Sequence, residues 1–257
     1  MRKQRMKFLC CVLAVAFIGV FAVGAEAFLG LFGSAPPPMS DEDFIRLCRQ
    51  GSAEEVRAAI QGGANANARD DSFLVITALT EAAWHNSDPE VITALIEGGA
   101  DVDTTVPGVV GDDRNNTALH LAARRRNYPE FVAALINGGA NIDALAYEGS
   151  TPLIIAAGIG NLDAVELLLA AGANVDAVNR EGYTALMLAA RRCPETTIAL
   201  INGGADVNIT RQARVFTAPG SNEPRTRSQR ALDIARPRLS PLRDTEALRM
   251  LEELTQN

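Results

Sequence analysis

Lysine is missing from residue 8 to the end of the 257-residue chain, the only two being Lys3 and Lys7. That absence removes Schiff-base chemistry, a lysine nucleophile and a phosphate-binding P-loop from consideration. Histidine is scarce too: His85 and His120 are the only two. No set of His, Cys, Asp or Glu has the spacing of a metal site, and neither a G-x-S-x-G elbow nor a Cys–His pair within reach is present. Asp112-Asp113, Glu54-Glu55 and Glu252-Glu253 are adjacent carboxylates, which on a helix or loop point different ways and read as solvated charge. Residues 1–27 hold four of the 24 basic and one of the 31 acidic residues, so the remainder carries 20 against 30, a net charge of −10. Such a balance argues against nucleic-acid binding, which needs a basic footprint. No catalytic residue, metal, cofactor or small-molecule substrate is expected.

The chain opens like an address. Arg2, Lys3, Arg5 and Lys7 precede an almost wholly apolar run from Phe8 to Val23, and Ala25-Glu26-Ala27 has the small-x-small form of a cleavage site. Residues 1–27 read as an export signal, placing the protein in a periplasm or outside the cell. The alternative is an uncleaved anchor, because residues 8–25 approach the span of about 18–20 residues that crosses a bilayer. Residues 28–40, with three consecutive prolines, form a flexible linker. Phe28, Leu29, Leu31 and Phe32 add a short apolar segment to it.

From there the chain repeats itself. The segment from Gly149 to Ala173 spells two short helices: Thr151 is an N-cap followed by Pro152 at the first helical position, and Leu153, Ile154, Ala156 and Ala157 give an apolar side. Asn161 caps a second helix carrying Val165, Leu167, Leu168 and Leu169, and Gly172 ends it as a left-handed C-cap. Neither helix is long enough to stand alone in water, so the unit requires neighbours. The tripeptides Gly62-Gly63-Ala64, Gly98-Gly99-Ala100, Gly138-Gly139-Ala140, Ala171-Gly172-Ala173 and Gly203-Gly204-Ala205 put successive second glycines 36, 40, 33 and 32 residues apart. A period near 33 signals a solenoid.

Each later tripeptide follows a matching helix start: Thr77-Ala78-Leu79, Thr117-Ala118-Leu119-His120, Thr151-Pro152-Leu153 or Thr184-Ala185-Leu186. This pattern resembles the ankyrin repeat over roughly Asp41 to Leu254, although proline survives only at Pro152 and histidine only at His120. The resemblance implies an all-α solenoid of about six helix-turn-helix repeats with hairpin-type loops, filling 41–257. The expected units are an N-terminal cap repeat at 41–69, then 70–103, 104–143, 144–176 and 177–208, and a C-terminal cap repeat at 209–257. Ser52 and Glu55 form a capping box in the first unit, and Asp88-Pro89, Pro129 and Pro194 open second helices. Cys48 and Cys193 fall four repeats apart, roughly 30–40 Å at 8–10 Å per packed helix, too far for a disulfide. Two hairpins are lengthened, at Thr104 to Asn115 and at Ile209 to Gln229, and both extensions are expected on one side. The apolar cluster Phe73-Leu74-Val75-Ile76 reads equally as a contact patch or as chain folded back into the core.

The resemblance also implies where function lies. Hairpin tips and the residues after the Ala-Ala of each first helix line a concave groove that binds other proteins. Those positions are Trp84 and His85; Arg124 and Arg125; Tyr147, Glu148, Gly158 and Ile159; and Arg180, Glu181, Tyr183, Arg191 and Arg192. The expected function is a non-catalytic, monomeric binding module that grips an acidic segment of a partner protein, with Trp84 and Tyr183 as anchors and the arginines setting orientation. The competing expectation is an enzyme or toxin-like effector with a site spread across the groove. For His120 the resemblance implies a structural ring bonded to neighbouring backbone, and His85 reads as a surface residue at a turn.

Overall fold

The computed structural model describes residues 39–70, 76–106, 115–191, 193–212, 228–231, 233 and 246–256. The signal region, the linker up to residue 38, the Phe73–Val75 cluster, 107–114, Arg192 and 213–227 lie outside the described residues. Among those described, eleven α-helices occur: α1 (Asp41–Gln50), α2 (Ala53–Gln61), α3 (Ala78–His85), α4 (Glu90–Glu97), α5 (Ala118–Arg124), α6 (Pro129–Asn137), α7 (Pro152–Ile159), α8 (Leu162–Ala170), α9 (Ala185–Ala189), α10 (Pro194–Asn202) and α11 (Glu246–Gln256). The first helices stack in the order α1, α3, α5, α7, α9 and the second helices in the order α2, α4, α6, α8, α10, with α11 closing on α10. This is the all-α repeat solenoid that the sequence implies. No helix among the described residues is long and apolar enough to cross a membrane.

The punctuation does its expected work. Thr77, Thr151 and Thr184 each accept a hydrogen bond from the backbone N–H three residues on, at 3.2–3.3 Å. Ser52 and Glu55 close the capping box, and Pro129 and Pro194 stand at the first turn of their helices. Asp88 leads into α4 one residue before the N-cap Pro89, accepting from Glu90 N–H at 3.0 Å, and its other oxygen takes Ala53 N–H of the preceding unit at 3.2 Å. The Gly-Gly pair splits its duties. Gly99 has φ +88°, the left-handed turn that lets Ala100 N–H reach back to Leu95 C=O, whereas a Cβ on Gly98 would meet Ile60 Cδ1 of the previous unit at 2.6 Å.

Between the layers lies one continuous apolar core. Leu79, Leu119, Leu153 and Leu186 occupy the same place in successive first helices and are at most 3 % exposed. Phe131, Val132, Leu135, Val165, Leu168 and Leu200 fill the second layer. Each fully buried Leu or Phe contributes roughly 1.5–3 kcal/mol, and because each unit touches only its neighbours, that stability is shared between adjacent units.

The hairpin side is tied by a second device. Asn65, Asp101, Asn141, Asn174 and Asp206 each accept the backbone N–H two residues on through Oδ1, at 2.8–3.2 Å. Asn67, Asp103, Asp143 and Asp176 then accept the N–H of Asp101, Asn141, Asn174 and Asp206 in the following unit at 2.7–3.0 Å. The result is a ladder of side chains running from unit to unit. Where the hairpins lengthen, their bases remain paired: Val106 bridges Asn116, and β1 (Arg211–Gln212) pairs antiparallel with β2 (Ser228–Gln229).

Candidate functional site: the row at the first-helix ends

Because the first helices stack in register, the residue after each helix's last small pair recurs at the same level. Those residues are Arg49, after Cys48, then Trp84, Arg124, Gly158 and Arg191. Arg49 escaped the sequence reading because the first unit has no Thr-x-Leu start or Ala-Ala to fix its register. A cross-repeat bond supplies that register: Asn86 Nδ2 donates to Cys48 C=O at 2.8 Å, as Asn161 Nδ2 donates to Ala123 C=O at 2.9 Å. Trp84 is 40 % exposed, with the Arg124 guanidinium 5.9 Å from its ring centre and His85 edge-on at 6.4 Å.

The same helix carries a carboxylate that the sequence did not single out. Glu81, one turn before His85 on α3, is 7 % exposed, with Arg49 Nη1 at 3.3 Å and His85 Nε2 at 3.8 Å from its Oε1. Burial lowers the His85 pKa, Glu81 raises it, and Arg49 and Arg125 lower it further. His85 is the last residue of α3 rather than part of a turn, and it is exposed, as expected. The i, i+4 spacing of Glu81 and His85 was the available signal.

Arg125 belongs to the scaffold. Its guanidinium donates to Ala83 C=O at 2.9 Å and Asn86 C=O at 2.7 Å and lies 4.2 and 4.5 Å from the Tyr128 and Phe131 ring centres. Asn86 does the same for Cys48 and Gly51 C=O, and Asn161 for Ala123 and Arg125 C=O. At each of these three seams a donor crosses to the carbonyls ending the previous first helix, and in the middle one arginine takes asparagine's place. At the next seam Cys193 occupies the position corresponding to Asn161. There an open cleft of about 610 Å³ is lined by residues including Arg126, Gly158, Gly160, Cys193 and Thr196. Cys48 is buried, its thiol pushed up to about 12 by burial, and neither it nor Cys193 forms a disulfide.

Toward the C-terminal end the expected residues are engaged with one another. Tyr183 lies under Arg211, whose Cζ is 3.9 Å from the ring centre; Arg211 also donates to the Tyr183 hydroxyl at 2.6 Å and to Glu181 C=O at 2.8 Å. The Tyr183 ring is thus roofed, its lid coming from the base of the second long hairpin. Tyr147 and Glu148 belong to a short 3₁₀ turn, Glu148 holding φ 64° and accepting Arg180 N–H at 2.7 Å, so neighbouring hairpin tips touch. Ile159 is half-buried, while Arg180, Glu181 and Arg191 are exposed.

His120 stands apart from the row. Its Nδ1 accepts Thr117 N–H at 3.1 Å, while Nε2 faces Ala144 and Ser150 C=O of the next unit at 3.1 and 3.2 Å, so the proton sits on Nε2. Burial pushes this histidine down to about 4. Among the described residues no group of three His, Cys, Asp or Glu could hold a metal ion.

A sequence profile described as Ankyrin repeats (3 copies) matches residues 44–146 and 119–211, more than half the chain. The protein belongs to the ankyrin-repeat family, whose repeats generally bind other proteins. No curated protein matches the chain.

Proposed function

We propose that this chain is an exported, non-catalytic, monomeric binding module that captures a partner protein along the first-helix ends, chiefly at Arg49, Trp84, His85 and Arg124. The observation that carries the reading is the row itself: an exposed tryptophan flanked in register by two arginines, on a chain otherwise acidic from residue 28 onward. Trp and Arg dominate binding hot spots because they bury much area and hold defined polar geometry. Arg180, Arg191, Ile159, Tyr147, Glu148 and Glu181 extend the contact surface toward the C-terminal end. Tyr183 joins it only through the Arg211 that covers it. Arg125 is left out because its donors already serve backbone carbonyls. An acidic segment of the partner fits the local excess of arginine.

Affinity capture from the native envelope, quantified by mass spectrometry, tests the groove. The triple variant Trp84→Ala, Arg124→Ala, Arg191→Ala is expected to lose the captured partner, about a hundredfold if the three together contribute about 3 kcal/mol, with its melting profile unchanged. Equal recovery by wild type and variant rejects the reading. Export rests on the basic, apolar and Ala-x-Ala sequence of residues 1–27. N-terminal sequencing of the secreted or periplasmic protein is expected to begin at Phe28, and a chain that still carries Met1 rejects cleavage.

A further inference from the structure

We propose that the open cleft at the seam of the fourth and fifth units is a binding site for a small organic carboxylate, held by the Arg126 guanidinium, the Thr196 hydroxyl and the uncapped start of α10. The site uses none of the arginines of the row and stands independently of the groove reading.

The starting point is one change within the repeat. Asn161 caps α8 by accepting Ala164 N–H through Oδ1 at 3.4 Å, while its Nδ2 crosses to Ala123 and Arg125 C=O. Cys193 stands in that place ahead of α10, and no side chain caps the nine-residue helix. Pro194 has no N–H to offer, and the first backbone bond at the start of α10 joins Thr197 N–H to Cys193 C=O at 2.9 Å. The N–H groups of Glu195 and Thr196 therefore have no partner among the described residues, and both residues line the cleft. The positive end of the helix dipole adds to those donors.

Two side chains converge on this helix start. Thr196 is only 2 % exposed, yet its hydroxyl makes no hydrogen bond among the described residues, and its oxygen is not sealed off from the cleft that the residue lines. A buried hydroxyl left without a partner is costly, and a ligand in the cleft supplies one. Arg126 arrives from the third unit. A Cβ on Gly160, which holds φ +70°, would meet Cys193 Sγ and lie 3.3 Å from Arg126 Nη2, so the guanidinium reaches the same corner. It has no hydrogen bond or ion pair among the described residues. A guanidinium, a hydroxyl and two N–H groups together fit the two oxygens of a carboxylate. Glu195 contributes a negative charge at the same cleft, which disfavours a doubly charged phosphate more than a monoanion. Ile159 and Leu162 offer an apolar wall to the carbon body, and about 610 Å³ suits a small organic ligand better than a bare ion.

The probe is benzoate, titrated into the full protein at about pH 7, where a carboxylate is ionised, and followed through the backbone amide NMR resonances of Glu195 and Thr196. Neutral benzamide and inorganic phosphate are the comparison ligands. Benzoate is expected to shift both amides saturably, phosphate to bind more weakly, and benzamide not to bind. Arg126→Ala should weaken benzoate about tenfold, because a hydrogen bond to a charged group is lost, and Thr196→Val about fivefold. Cys193→Ser places an N-cap acceptor on the Thr196 N–H, so it should weaken benzoate while raising Tm. Arg126 is exposed, so its variant keeps the fold and is decisive by itself. No saturable shift at the two amides, or a benzoate affinity unmoved by Arg126→Ala, overturns the site. Phosphate binding tighter than benzoate overturns the carboxylate assignment, and unchanged affinity in both Thr196→Val and Cys193→Ser overturns the role given to the start of α10.

Discussion

His120→Ala is expected to destabilise the solenoid by about 3–5 kcal/mol, the largest loss from any single side chain outside the apolar core. The ring is fully buried and joins two units: it receives Thr117 N–H within its own and faces Ala144 and Ser150 C=O in the next. Removing it leaves a donor and two acceptors without this partner in a space closed to solvent, and adds a cavity. The same ring makes the fold acid-sensitive. Its pKa is about 4 in the folded chain against 6.5 when exposed, so between these values the unfolded chain binds a proton that the native one excludes. Stability therefore rises with pH through that window and falls as pH drops from 6.5 toward 4, by roughly 3 kcal/mol from this group alone. The cause is burial, which disfavours the charged ring; a proton on Nδ1 would also confront the Thr117 N–H that Nδ1 now accepts. Urea unfolding of wild type and His120→Gln across pH 4–7 isolates the effect, since other carboxylates titrate in both. Wild type should lose markedly more; parallel profiles refute the account.

Arg125→Ala is expected to cost about 2–3 kcal/mol, lowering Tm by about 5–10 °C, while Arg124→Ala leaves Tm nearly unchanged. The two residues are neighbours of the same type with opposite employment. Arg125 supplies the donors to Ala83 and Asn86 C=O and packs on Phe131, a fully buried ring, whereas Arg124 reaches over exposed Trp84. Differential scanning calorimetry of the two single variants is the measurement. Equal melting points would mean that the crossing guanidinium is not what holds the second and third units together. Arg125→Lys is expected to recover little, because a single ammonium lacks the planar fork that reaches both carbonyls.

The architecture was legible because it is written in residues whose effects are local. Thr77, Thr151 and Thr184 cap, Pro129 and Pro194 open helices, and glycines such as Gly99 and Gly172 adopt the left-handed turn, all from short-range rules. The row was legible only in part. Trp84 and Arg124 were placed by the Ala-Ala that precedes them, but Arg49 lacks that marker and needed the Asn86–Cys48 bond to reveal its level. No pattern separates Arg124 from Arg125. What separates them is that α5 stops at Arg124, and Arg125 takes an extended backbone, φ −85° and ψ 102°, with its side chain bonded to the preceding unit. Arg211 lay beyond reach for a different reason: it meets Tyr183 from 28 residues away, a pairing set by hairpin geometry.

The Asn and Asp ladder has a further consequence for how such a chain can change in length. Each of the four joints from the first unit to the fifth uses a side-chain Oδ1 acceptor, from Asn67, Asp103, Asp143 or Asp176, on the same backbone donor in the following unit. On the hairpin side, the two halves of any of these joints therefore present the same donor and acceptor as those of any other. A module could be duplicated or excised without orphaning this ladder, so on the hairpin side the distance between the two ends is open to revision while the rule of assembly stays constant.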